Sequence, residues 1–150
     1  MIKILFVCLG NICRSPMAEF MCKDMLEKLG RKNDFYIESA GTSNEEEGNP
    51  IHYGAREKLA EVGIFPNGKY ARQIQKSDYD RFDYIIAMEE KNISSIKKII
   101  GEDKDNKVYR LLDFSNNPRD IADPWYTGNF NTTYLDLKEG LEEFLKKIMN

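Results

Sequence analysis

Apolar and polar positions follow two rhythms along this chain. Ile2 to Val7 places five apolar residues in six, the pattern of a strand buried on both faces. After an intervening loop, Ala18, Met21, Cys22, Met25, Leu26 and Leu29 recur at helical spacing from Pro16 onward, and Gly30 follows as a C-terminal stop. Phe35 to Glu38 predicts a second strand. Pro50 opens a predicted helix through Ala55, Leu59 and Ala60 to Gly63, with proline in an early turn and glycine just past the end. Asp83 to Met88, centred on Tyr84-Ile85-Ile86-Ala87, predicts a third strand, followed by a helix carrying Ile93, Ile96, Ile99 and Ile100. Lys107 to Leu112 predicts a fourth. A long polar loop, Ser115 to Asn131, leads to a last helical stripe of Leu135, Leu137, Leu141, Phe144, Leu145 and Ile148.

Strands alternating with helices imply a parallel sheet joined by right-handed crossovers, with helices on both faces: a doubly wound α/β fold. With 150 residues and neither repeat, linker nor low-complexity tract, one domain over 1–150 is expected. Ligands of such sheets bind at the carboxyl ends of the strands. That directs attention to the loop after the first strand and to the late polar loop.

Composition narrows the class. Hydrophobic residues at 41% and charged residues at 31% suit a globular core. A net charge of −3 offers no basic footprint for nucleic acid or an anionic membrane surface. No run approaches the ~20 apolar residues of a membrane span. The apolar N-terminal run is shorter than a signal-peptide core and gives way to Gly10, Asn11 and Arg14. Three cysteines and one histidine, without C-x2-C or H-x3-H spacing, argue against zinc and against a disulfide scaffold, and point to a reducing, cytoplasmic setting.

The first loop is Cys8-Leu9-Gly10-Asn11-Ile12-Cys13-Arg14-Ser15, entering a helix at Pro16. Gly10 and Asn11 tolerate the positive φ that turns successive backbone N–H groups inward, and the helix aims its positive end at the same place. Arg14 adds a two-pronged donor matched to phosphate oxygens. These donors favour the thiolate of Cys8, and the Ser15 hydroxyl is one more donor to it. A lone strand-end cysteine is ordinarily a small buried hydrophobe. The complete octet at a strand-to-helix junction reverses that reading. Similarly, Asp123-Pro124 alone reads as a turn. Together with the Cys8 loop it reads as a loop carboxylate aimed across a cleft; Trp125 and Tyr126 could be core aromatics, but following a loop Asp-Pro they better fit a wall for an aryl group.

Val7 to Glu19, V-C-L-G-N-I-C-R-S-P-M-A-E, resembles the phosphate-binding loop of the low-molecular-weight protein tyrosine phosphatases, and Asp123-Pro124-Trp125-Tyr126 resembles their general-acid loop. The similarity continues through Glu38-Ser39-Ala40-Gly41, Ala71-Arg72-Gln73 and Phe82-Asp83-Tyr84-Ile85. It implies a four-stranded parallel sheet and hydrolysis of phosphotyrosine through a phosphocysteine intermediate, without metal or cofactor. Cys8 would be the nucleophile, Arg14 the phosphate clamp and Asp123 the general acid and base. The loop from Leu9 through Gly10, Asn11, Ile12 and Cys13 to Ser15 would cradle phosphate, and Asn11 and Ser39 would support its backbone. Partners would be tyrosine-phosphorylated proteins, with the chain a monomer or weak homodimer.

Some positions depart from the family pattern. Lys69 stands where His is common and Glu89 where Asp is frequent. His52 reads as a solvated residue in a polar helix start, and Glu45-Glu46-Glu47 as a solvated charge run or a preference for basic phosphopeptides. Cys13 could form a reversible disulfide with Cys8 that guards it against over-oxidation. Cys22 reads as core. Three other functions compete. Arsenate reductases relay electrons through further cysteines, which this chain lacks after Gln73. Arginine phosphatases typically have Thr in place of Ile12. Phosphocysteine carriers would have no use for Asp123-Pro124.

Overall fold

Parallel pairing of four strands organises the computed structural model, which describes residues 1–149. β1 (Ile2–Cys8) lies between β2 (Phe35–Gly41) and β3 (Tyr84–Ala87), and β4 (Val108–Arg110) completes the order β2-β1-β3-β4. Every pairing is parallel, with Cys8 level with Gly41 and Val7 with Ala87. Successive side chains of a strand point to opposite faces, and β1 shows the consequence. Ile4, Phe6 and Cys8 enter one core, shared with α1 (Arg14–Lys28), α2 (Tyr53–Glu61) and α6 (Phe130–Ile148). Leu5 and Val7 enter the other, covered by α3 (Asp78–Arg81) and α4 (Glu90–Ile100). Helices therefore cover both faces, as the alternation of strands and helices predicts.

From β1 the chain turns one way to β2, then crosses to β3 on the far side of β1. The switch point of the sheet thus lies at the carboxyl end of β1, where α1 begins.

The predicted boundaries shift where tertiary contacts intervene. β2 runs on through Ser39, Ala40 and Gly41 because the seven residues of β1 continue to offer partners. β4 ends at Arg110, before the predicted Leu112. Leu111 and Leu112 both enter the same core, which consecutive residues of a strand cannot do, so the chain tightens there into a 3-10 turn. Pro50 does not open α2. It is bridged to Tyr70, and Ala71 N–H donates to the Asn49 carbonyl at 2.8 Å, so the segment stays extended and the helix starts at Tyr53. α1 starts at Arg14, two residues before Pro16. The late polar loop contains a short helix, α5 (Pro124–Thr127). Leu29 and Leu135, placed on apolar stripes by spacing, are exposed; Thr133 and Gly140 take buried places on α6. No helix among the described residues is long and apolar enough to cross a membrane.

Candidate active site

The β1–α1 junction wraps the Cys8 sulfur in donors. Asn11 N–H donates to Sγ at 3.3 Å, Ser15 N–H at 3.4 Å, and the Ser15 hydroxyl stands 3.0 Å away. α1 has Cys13 at its N-cap, no capping side chain and no acidic residue in its first turn. Pro16 has no N–H and Ser15 N–H turns to Cys8 Sγ, so the positive end of α1 is directed at the sulfur.

Asn11 takes the left-handed conformation, with φ of 60°. Gly10 does not, contrary to expectation: positive φ is confined to one residue of the loop, and Asn11 supplies it. Three hydrogen bonds hold Asn11 there. Its Nδ2 donates to Ser15 Oγ at 2.8 Å and to Ser39 Oγ at 3.0 Å, while Oδ1 accepts from Arg72 N–H at 3.1 Å. Ser39 Oγ in turn donates to the buried Glu19 at 2.6 Å. Lys69 joins this scaffold, donating from Nζ to the Ser39 carbonyl at 2.7 Å with Glu19 at 3.8 Å. Burial lowers the Lys69 pKa, and the Glu19 carboxylate opposes that. Gly41 is needed for another reason. A Cβ on it would lie 2.7 Å from the Leu9 carbonyl oxygen, so the end of β2 can lie against the loop only without a side chain.

Arg14 is 1% exposed although charged. Nη1 donates to the Ile121 carbonyl at 2.9 Å and lies 3.3 Å from Glu89; Nη2 lies 3.3 Å from Asp123 Oδ2. Its Nε is the one buried side-chain nitrogen or oxygen among the described residues without a hydrogen-bond partner. A buried guanidinium N–H is costly to leave unpaired, so this orphan suits a ligand oxygen. At the start of α4 Glu89 N–H donates to Asn92 Oδ1 at 3.1 Å, which holds the Glu89 backbone where its carboxylate stands beside Arg14.

Asp123 faces Cys8 across the cleft. Its Oδ1 accepts from Trp125 N–H at 3.0 Å, capping α5, while Ile121 N–H donates to the Met88 carbonyl at 2.9 Å and ties the loop to the end of β3. Trp125, Tyr126 and Leu9 are exposed at the rim, with Ile12 and Cys13 deeper. Burial pushes the Cys13 thiol up to about 12, and the neighbouring Cys8 and Asp123 add to the shift.

Cys8, Leu9, Gly10, Ile12, Cys13, Arg14, Asp123, Trp125 and Tyr126 thus share one cleft, while Asn11, Ser15 and Ser39 stand behind it as scaffold. Ser43, Glu45 and Glu46 also line it. Glu46 is half-buried and accepts from Asn49 at 2.6 Å, so the acidic run is partly built into the rim rather than wholly solvated. His52 is likewise not simply solvated; its Nδ1 accepts from Gly54 N–H at 3.0 Å. Sequence reasoning missed Glu19, whose signal was a carboxylate amid the apolar Met17, Ala18, Met21 and Cys22. It also missed the Ile121 carbonyl and Arg72 amide, which carry no side-chain signal. Among the described residues no group of three or more His, Cys, Asp or Glu is placed to hold a metal ion.

A thiol-bearing anion loop at the switch point of an α/β sheet, opposite a loop aspartate, is the layout of a phosphatase. Residues 3–150 match the model of the low molecular weight phosphotyrosine protein phosphatase family. The low molecular weight protein-tyrosine-phosphatase YfkJ of Bacillus subtilis is 44% identical over 150 residues, covering 99% of this chain and 96% of the relative. Its crystal structure covers 99% of this chain and 95% of that one with a TM-score of 0.96. The Streptococcus pyogenes enzyme SP-PTP, a low molecular weight protein tyrosine phosphatase, is 38% identical with a TM-score of 0.90, covering 100% of this chain and 95% of its own. An arginine phosphatase from Drosophila is 30% identical with a TM-score of 0.91, covering 99% of each chain. The chain belongs to the low molecular weight phosphotyrosine protein phosphatase family, a family of hydrolases.

Proposed function

We propose that this protein is a single catalytic domain that hydrolyses phosphotyrosine in proteins through a phosphocysteine intermediate, in the cytoplasm and without metal. The observation that carries the reading is the convergence of two backbone N–H donors and the Ser15 hydroxyl on Cys8 Sγ beside the unpartnered, buried Nε of Arg14. The sulfur attacks phosphorus in line, forming the S–P bond as the P–O bond to the tyrosyl oxygen breaks. Arg14 and the loop N–H groups hold the three remaining oxygens as charge redistributes. Asp123 gives its proton to the departing phenolate, then takes one from the water that attacks the phosphocysteine, releasing phosphate and restoring the thiolate. Trp125 and Tyr126 on one side and Leu9 on the other flank the aryl ring.

The first test is turnover of p-nitrophenyl phosphate in EDTA. Turnover that persists in Cys8→Ser, or that needs added metal, sinks the mechanism. For Asp123 the measure is leaving-group dependence: Asp123→Ala should slow poor leaving groups more than good ones, and an equal effect on both removes it from the acid role. The likeness to the Drosophila arginine phosphatase supports phosphoarginine as a second reading. Ile12, apolar at the cleft, favours an aryl ring over a guanidinium. Competition between phosphotyrosine and phosphoarginine peptides decides between them.

A further inference from the structure

We propose that His52 is a positioning residue that sets Trp125, and with it the Asp123 loop, against the phosphate loop. The imidazole sits where four segments meet. Its own backbone N–H donates to the Ile12 carbonyl at 2.9 Å, which fastens it to the phosphate loop. Nδ1 accepts from Gly54 N–H at 3.0 Å and so caps α2. That bond assigns the ring proton to Nε2.

The ring is also held from its faces and edge. It stacks on Tyr53 with centroids 4.8 Å apart and on Phe130, at the start of α6, with centroids 5.4 Å apart and planes 17° from parallel. Gly54 makes the second contact possible, because a Cβ there would lie 2.5 Å from the Phe130 ring. Trp125 then meets the imidazole edge to face, at 5.6 Å and 77°. Such aromatic pairs have preferred geometries and lock one another's rotamers.

Trp125 is 56% exposed and belongs to a helix of only four residues, so an aromatic neighbour has real influence on where the indole lies. The backbone that carries the indole is linked to the acid in turn. The backbone amide N–H of Trp125 donates to Asp123 Oδ1, and Asp123 Oδ2 pairs with Arg14. A displacement of the short α5 segment, which the indole anchors against His52, therefore moves the carboxylate relative to Arg14. His52 does not line the cleft that holds Cys8; it acts through Trp125.

Trp125 is the single tryptophan of the chain, so its fluorescence reports on this contact directly. His52→Asn keeps an acceptor for Gly54 N–H but removes the ring, and His52→Phe keeps a ring but removes the acceptor. Faster depolarisation of Trp125 emission is expected in His52→Asn and not in His52→Phe, with both folded by circular dichroism. The kinetic arm alone rests on the phosphatase reading. There, His52→Asn should lower kcat for a phosphotyrosine peptide roughly two- to tenfold, in line with the usual strength of an aromatic pair. It should affect p-nitrophenyl phosphate, whose good leaving group needs little acid assistance, less. It should also add nothing to Trp125→Ala. Wild-type depolarisation in His52→Asn, or losses that multiply in the double variant, would overturn the proposal. A protein without phosphatase activity would overturn the functional reading while leaving the fluorescence result to judge His52.

Discussion

Replacing Asn11 by alanine removes three hydrogen bonds and leaves a Cβ-bearing residue at φ of 60° without the side chain that compensates it. Each bond contributes about 0.5–1.5 kcal/mol net, and a buried donor left without an acceptor, as Arg72 N–H would be, costs about 1–3 kcal/mol. Holding an ordinary L-residue in the left-handed region adds about 1–2 kcal/mol. Allowing for partial relaxation of the loop, Asn11→Ala should lose about 3 kcal/mol, a large share of the ~5–15 kcal/mol of a typical domain. Asn11→Gly loses the same bonds without the steric strain and should recover about 1 kcal/mol of that. Urea unfolding gives both values. Inhibition by inorganic phosphate reads the cradle itself and should weaken at least about tenfold in both variants, equivalent to 1.4 kcal/mol of lost phosphate binding. The reasoning is refuted if Asn11→Ala stays within about 0.5 kcal/mol of the wild type, the range of an ordinary surface change, or if Asn11→Gly is the less stable of the two.

Three further outcomes follow from particular contacts. Gly41→Ala should cost about 1–3 kcal/mol and weaken phosphate inhibition, since its Cβ would meet the backbone of Leu9, Gly10 and Asn11, which cannot swing aside; unchanged inhibition would contradict this. Burial pushes the Cys13 and Cys22 thiols from 9.0 up to about 12, so the native state holds two protons that the unfolded chain releases. Their stabilisation is complete below about pH 9 and fades as pH rises toward 12, and Cys22→Ala should make the alkaline decline of the urea midpoint shallower. After peroxide converts Cys8 to its sulfenic acid, attack by Cys13 is expected to expel water and form the disulfide. Recovery of activity with dithiothreitol should therefore collapse in Cys13→Ser, and disulfide formation should accelerate with pH because the Cys13 thiol ionises so high.

Lys69 and Glu89 show how a departure from a family pattern is absorbed. Lys69 reaches the Ser39 carbonyl and approaches Glu19, and Glu89 stands 3.3 Å from Arg14. Lys69 thus braces Ser39 behind the loop, and Glu89 braces Arg14.

Much of the layout was legible from local signals. The apolar run of β1, the octet from Cys8 to Ser15 and the Asp-Pro pair are each contiguous, and contiguous patterns express backbone geometry and donor placement that neighbours along the chain determine. The misplaced boundaries lie where distant segments compete with local preference. Pro50 is a natural helix opener but is bridged to Tyr70, and Leu111-Leu112 reads as strand but must fill one core. Likewise His52 reads as solvated from sequence, because Phe130 and Trp125 reach it only through the fold.

Local sequence is enough for the succession of strands, the anion loop and the identity of its chemical groups, since these depend on residues within a few positions of one another. Which groups meet is settled by long-range packing: the Asn11 bonds to Ser39 and Arg72, the Arg14 pairing with Glu89 and Asp123, and the His52 contact with Trp125. Each joins segments far apart in the chain, so the free energy that selects them comes from packing the two faces of one sheet rather than from any local preference.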